Sequence, residues 1–156
     1  MESKLAKEIK MVRGFPSLEA EAYLNIQRTA WATLDELSRL MRDRGVTPQQ
    51  YNVLRILRGA GEDGLMCSEI SSRMLTRDSD VTRLLDKLER HEYVIRERSK
   101  SDRRVVIARI TDAGKQLAED LFQPLHDKHV ARFGRLGAEK LRTLITLLEE
   151  VREDLE

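Results

Sequence analysis

The side chains best placed to do chemistry in this sequence form hydrogen bonds and carry charge; they do not suit making or breaking covalent bonds. Ser79, Arg83, Asp86 and Arg90 fall on one side of a helix expected from about Asp78 to Glu92, with Thr76, Thr82 and Lys87 flanking them. Short hydroxyls and guanidinium groups in this arrangement reach base edges and phosphates in a major groove. Val81, Leu84, Leu85 and Leu88 take the opposite face, at the 3.6-residue period of a helix packed on a core. Taken alone, this is also the pattern of an ordinary amphipathic surface helix with a solvated face.

The following residues change the balance. From Val94 to Arg109 there are six Lys or Arg and two Asp or Glu, a net charge of +4, whereas the whole chain carries +1 and the remainder therefore −3. Within this stretch, Val94–Ser99 and Arg104–Ile110 alternate as strands. Val106, Ala108 and Ile110 point one way, and Val105, Ile107 and Arg109 the other. The tip between them is Lys100-Ser101-Asp102-Arg103. Cationic charge gathered on one projecting hairpin is an electrostatic footprint for a phosphate backbone.

The elements that must position these groups follow directly. A short helix from Ser68 to Met74, a tight connection, the helix near Asp78–Glu92 and a basic hairpin make the layout of a winged helix-turn-helix. The expected fold is mainly α with a small β-hairpin: a winged-helix DNA-binding lobe over about 47–111, and a dimerisation layer from helices at about 17–45 and 111–156. All of it belongs to one domain, 1–156.

Three linked runs then carry a family resemblance. Asp80-Val81-Thr82-Arg83-Leu84-Leu85-Asp86-Lys87-Leu88-Glu89, Asp102-Arg103-Arg104, and Ile110-Thr111 with Gly114 resemble, in order and spacing, the MarR family of bacterial transcription regulators. The resemblance runs from roughly Ser17 to the C-terminus. It implies a homodimer on a pseudo-palindromic operator, with recognition helices in successive major grooves and wings in adjacent minor grooves. In the family's wing motif the Asp braces an Arg two residues on, here Asp102 and Arg104. The DNA-contacting set expected on these grounds is Ser68, Thr76, Arg77, Ser79, Thr82, Arg83, Lys87, Arg98, Lys100, Asp102, Arg103 and Arg104. The chain departs from the family at Glu92 and Leu75, where Gly is usual. A Glu in a left-handed C-cap position is mildly strained or caps the helix differently.

The rest of the chain supports this lobe. Residues 1–14 carry Lys4, Lys7, Lys10 and Arg13 and fit either a basic arm touching DNA or the partner subunit, or, the more ordinary case, a frayed solvated terminus. Ser17 caps a long helix with an apolar stripe of Tyr23, Ile26, Ala30, Leu34, Leu37 and Met41, ended by Gly45. Thr47-Pro48-Gln49-Gln50 starts another helix, through Tyr51, Val53, Leu54, Ile56 and Leu57. Gly59, Gly61 and Gly64 mark the loop before Ser68. Thr111-Asp112 caps a helix carrying Leu117, Leu121 and Leu125, and Gly134 and Gly137 bracket the next turn. The last helix places Leu141, Leu144, Leu148, Val151 and Leu155 at alternating spacings of three and four, a seam seeking a partner helix.

Charged residues make up 35 % of the 156, and only one is cysteine. No apolar run approaches a membrane span, and no signal-peptide region opens the chain, so a cytoplasmic protein is expected. No Ser/His/Asp signature, phosphate-binding glycine loop or HExxH occurs, and neither an enzyme nor a cofactor is expected. Cys67 stands at a helix start, where a thiolate is stabilised. Redox-sensing members of the family place their cysteine near the first long helix, which here has none, so Cys67 reads as a small packed residue. His126 and His129 are three apart on one helix, a spacing metals accept; with no cysteine nearby the signal is weak, although Asp127 and Glu119 are available, and surface or pocket histidines are the ordinary reading. Arg28, Trp31 and Tyr51 are expected at an effector site for a small aromatic acid or phenol. The function expected is a ligand-responsive homodimeric repressor. The alternatives are a winged-helix protein-interaction module, or a redox- or metal-responsive regulator of the same fold.

Overall fold

The computed structural model describes residues 3–76, 80–99, 102 and 104–153. The chain divides into two compact units, residues 1–48 and 49–156.

The first unit holds α1 (Lys4–Glu8) and α2 (Leu18–Arg42). The start of α2 is set by Ser17, whose Oγ accepts the Ala20 N–H at 3.2 Å, with Glu19 and Glu21 in the positive first turn. No Gly or Pro interrupts its 25 residues, which at 1.5 Å per residue span about 38 Å. At the far end, Val46 N–H reaches the Met41 carbonyl and Gly45 N–H reaches that of Arg42, with Gly45 at φ +72°. That is a Schellman ending, and glycine takes its left-handed position without a Cβ clash. Tyr23, Ile26, Trp31 and Leu34 lie exposed along α2. The N-terminal residues are not frayed as the composition suggested. Leu5 and Ala6 are buried, and α1 closes with Lys10 at φ +54°.

The second unit is built around α3 (Pro48–Ala60), β1 (Leu65–Met66), α4 (Cys67–Ser72), α5 (Val81–Arg90), β2 (Val94–Arg98), β3 (Val106–Ile110), α6 (Asp112–Phe133) and α7 (Gly137–Glu150). Gly59 falls inside α3 and not in the loop after it. The three strands form an antiparallel sheet in the order β1-β3-β2, with Val94 opposite Ile110, Arg96 opposite Ala108 and Leu65 opposite Ala108 on the other side. The α5 face carries Val81, Leu85 and Leu88 into the interior, where Ile70, Val94, Ala108 and Ile110 are also buried. Each fully buried Leu or Val contributes about 1.5–3 kcal/mol relative to exposure. On β3 the expected alternation holds at Ala108 and Ile110, while Val106 at the tip end is exposed.

Thr111 joins sheet to helix. Its hydroxyl donates to the Glu92 carbonyl at 2.7 Å and accepts the Gly114 N–H at 3.1 Å, so it caps α6 while holding the end of α5. Gly114 is required here, because a Cβ would collide with the Tyr93 carbonyl and with Ile110. Leu117, Leu121 and Leu125 of α6 are buried. No residue of α7 is buried; Leu141, Leu144 and Leu148 are half-buried, and Ile145 and Leu147 are exposed. No described helix is long and apolar enough to cross a membrane.

Candidate nucleic-acid interface

The recognition helix begins later than its period suggested. Asp80 is the N-cap of α5, and its carboxylate accepts the Arg83 N–H at 3.1 Å. The other carboxylate oxygen lies 3.0 Å from Arg83 Nε. The guanidinium is thus aimed by the cap residue of its own helix while its side chain stays 83 % exposed. Thr82 and Lys87 are exposed on the same helix, Thr82 in its first turn. Thr82 Oγ1 lies 3.7 Å from Cys67 Sγ, so the cysteine packs where α4 meets α5. Ser68 is exposed on the first turn of α4, and Thr76 is exposed ahead of α5. Arg77, Ser79, Lys100 and Arg103 lie outside the described residues.

The C-terminal end of α5 repeats the Schellman pattern, with Tyr93 N–H on the Leu88 carbonyl and Glu92 N–H on that of Glu89. Glu92 occupies the left-handed position at φ +59°, the conformation that glycine favours.

At the wing, Asp102 opens a tight turn. Its carboxylate accepts the Arg104 backbone N–H at 2.9 Å, its own carbonyl accepts the Val105 N–H at 3.0 Å, and Ser99 N–H closes onto the Val105 carbonyl at 2.8 Å. The family resemblance implied that Asp102 braces Arg104; the bond formed is to the Arg104 main chain. A short acidic side chain two residues back turns the backbone more readily than it reaches the end of an arginine. Arg104 and Arg98 are exposed.

Two of the arginines in this cationic stretch are held in ion pairs. Arg96 is held between Asp86 and Glu89, each at 2.6 Å from Nη2. Arg109 Nη1 donates to Glu97 at 2.6 Å, and its Nε donates to the Glu62 carbonyl at 2.8 Å. These two arginines brace the root of the hairpin. Asp86, placed by helical period on the polar face with Arg83, turns toward β2 instead.

The MarR family model matches residues 46–106, the stretch that runs from α3 into β3. An HTH-type transcriptional regulator of Bacillus subtilis, YkoM, is 33 % identical over 141 residues, covering 87 % of this chain and 90 % of its own. A MarR transcription factor from Planctomyces limnophilus is 36 % identical in its crystal structure, covering 87 % of this chain and 98 % of that one at a TM-score of 0.63. The chain belongs to the MarR family. It is a DNA-binding transcriptional regulator, as its relatives are, and not an enzyme. A second structure, CouR from Rhodococcus jostii bound to p-coumaroyl-CoA, shares the fold at 20 % identity and a TM-score of 0.73, covering 89 % of this chain and 96 % of its own.

Two of the three residues expected at an effector site come together in this MarR-family chain. Arg28 and Trp31 line a cleft of about 580 Å³ in the first unit, with Leu5 and Ile9 of α1 and Leu24 and Leu34 of α2. The Arg28 guanidinium stands 5.8 Å from the Trp31 ring centre and 3.5 Å from Glu8. Tyr51 does not line this cleft; it is half-buried in the second unit, and burial raises its phenol pKa. The α1 contribution escaped the sequence reading because five residues are too few to display a period. His126 and His129 are exposed, His126 stacked on Phe122 with ring centres 6.1 Å apart. Among the described residues no three His, Cys, Asp or Glu come together in a metal-sized group.

Proposed function

We propose that this regulator acts as a homodimeric repressor whose grip on a pseudo-palindromic operator is released by a small aromatic acid or phenol. The observation that carries the DNA half is the union of a capped, outward-facing recognition helix with a turn-locked wing. Thr82, Arg83 and Lys87 are on the helix, and Arg98 and Arg104 are on the wing. Arg83 and the hydroxyls read the major groove. Arg104 enters a minor groove, where a narrow A·T-rich segment attracts a guanidinium. Ser68, Thr76, Arg77, Ser79, Lys100, Asp102 and Arg103 complete the contact surface.

The effector half rests on the α1–α2 cleft. Its apolar walls suit a small aromatic acid or phenol, and Arg28 offers a cation that a carboxylate would take from Glu8. Such a ligand shifts the population of dimers toward a spacing that no longer matches the operator. A gel shift with the DNA upstream of the protein's own gene tests the first half: binding to one segment over competitor is expected, and binding to none overturns it. Trp31 is the only tryptophan, so quenching of its fluorescence by a panel of aromatic acids, matched to release from DNA, tests the second. No quenching and no release across the panel would remove Trp31 and Arg28 from the effector site.

A further inference from the structure

Arg96 sits in β2, seven residues beyond Glu89 and ten beyond Asp86, which both lie on the recognition helix. Its guanidinium donates from Nη2 to Asp86 Oδ1 and Glu89 Oε2, both at 2.6 Å, and from Nε to Glu89 Oε2 at 3.0 Å. The Glu89 carboxylate is engaged on both oxygens, since its Oε1 accepts the Arg96 main-chain N–H at 3.0 Å. The three side chains together carry one net negative charge. A group of that sign is repelled by phosphate, so its place between two DNA-contacting elements needs another reason.

We propose that Arg96, Asp86 and Glu89 form a clamp that fixes the angle between recognition helix and wing, making Arg96 a positioning residue for operator binding. The proposal rests on the DNA-binding surface assigned above. Apolar packing of Leu85, Leu88 and Val94 brings α5 and β2 together, but such contacts lack direction and let one element pivot on the other. A planar guanidinium held by two carboxylates, together with a carboxylate spanning main chain and side chain, resists that pivot. The pivot matters because Arg83 lies one turn before Asp86 while the wing tip extends from β2. A change of angle moves Arg104 out of the minor groove whenever Arg83 is seated in the major one.

Arg96→Ala, Glu89→Ala and their double variant, made in the full chain, test the clamp against operator DNA and an unrelated duplex across a salt series. The clamp predicts about tenfold weaker operator binding for each single variant, and a double variant no worse than the poorer single. Binding to the unrelated duplex and its slope with salt should stay as in the native protein, while the slope on the operator falls by no more than the one charge that Arg104 withdraws. Glu89→Gln, which still accepts the main-chain N–H, should recover part of the affinity. Arg96→Lys keeps the charge and loses the fork; it should melt near the native temperature and still bind the operator several-fold more weakly. Tighter binding of both duplexes by Glu89→Ala would show plain charge removal and overturn the clamp. A salt slope reduced by about one on the unrelated duplex as well in Arg96→Ala would make Arg96 a phosphate contact and overturn it too. Arg83→Ala separates the two levels. If it loses the operator while the clamp variants bind as the native protein does, only the clamp falls; if the native protein binds no upstream segment, the DNA-binding surface falls and the clamp with it.

Discussion

Glu92 holds a left-handed backbone that costs a residue with a Cβ about 1–2 kcal/mol. Replacing it by Gly relieves that strain and adds unfolded-chain entropy of about 0.4–1 kcal/mol. Glu92→Gly should therefore stabilise the protein by a few tenths to about 1 kcal/mol, read as a rise in melting temperature with operator affinity unchanged. At the wing, the Asp102 bond to the Arg104 main chain separates shape from charge. Asp102→Asn keeps an acceptor at the same place and should bind DNA at least as well as the native protein. Asp102→Ala loses the turn and should bind several-fold more weakly, although both variants remove the same negative charge; equal affinities would show that the turn does not matter. Arg83→Ala should cost about 1–3 kcal/mol on the operator and little on unrelated duplex, measured as the ratio of the two dissociation constants.

Between elements, the link from α5 to β2 has its own acid limit. The hydrogen bond from Arg96 is the main reason the Glu89 carboxyl pKa lies below the ordinary carboxylate range. A depressed folded-state pKa gives stabilisation that is present above the unfolded value and is lost as pH falls through the folded one. Operator affinity should accordingly show no step from Glu89 between about pH 6 and 8. Carboxyl NMR should find its midpoint below the ordinary glutamate value, and Arg96→Ala should return it toward that value. How far these elements could be read in advance depended on how local their causes are. The apolar face of α5, the Thr111 cap and the Ser17 cap declare themselves within one or two turns of sequence. The Asp86–Arg96 pairing did not, because helical period alone puts Asp86 beside Arg83, and only the register of β2 brings the arginine within reach. β1, at two residues, is too short to alternate, and it exists because β3 offers it an edge. The wing turn was legible as Asp102 acting on Arg104, but which atom of Arg104 it holds is fixed by backbone geometry.

At the scale of the molecule, α2 exposes the most large apolar side chains among the described helices, and α7 exposes two. Tyr23, Ile26, Trp31 and Leu34 are uncovered on the first, and Ile145 and Leu147 on the second. Exposure on this scale is characteristic of an association surface, and a second copy is the expected cover. Sedimentation at micromolar concentration should show a dimer, and Leu148→Glu should shift it toward monomer and weaken operator binding in parallel. A Leu148→Glu protein that dimerises and binds as before would exclude the α7 seam from the interface.

Glu89 has one more consequence, for solubility. β2 lies at the edge of its sheet, and the Arg96 N–H points away from β3. An outward N–H on an edge strand invites a strand from another molecule. Here the Glu89 carboxylate already occupies that donor, and charged Arg96, Glu97 and Arg98 follow one another along the strand. The side chain that steadies the wing also closes the sheet to intruding strands. Glu89→Ala samples held warm and concentrated should form fibrous, dye-binding aggregates sooner than the native protein.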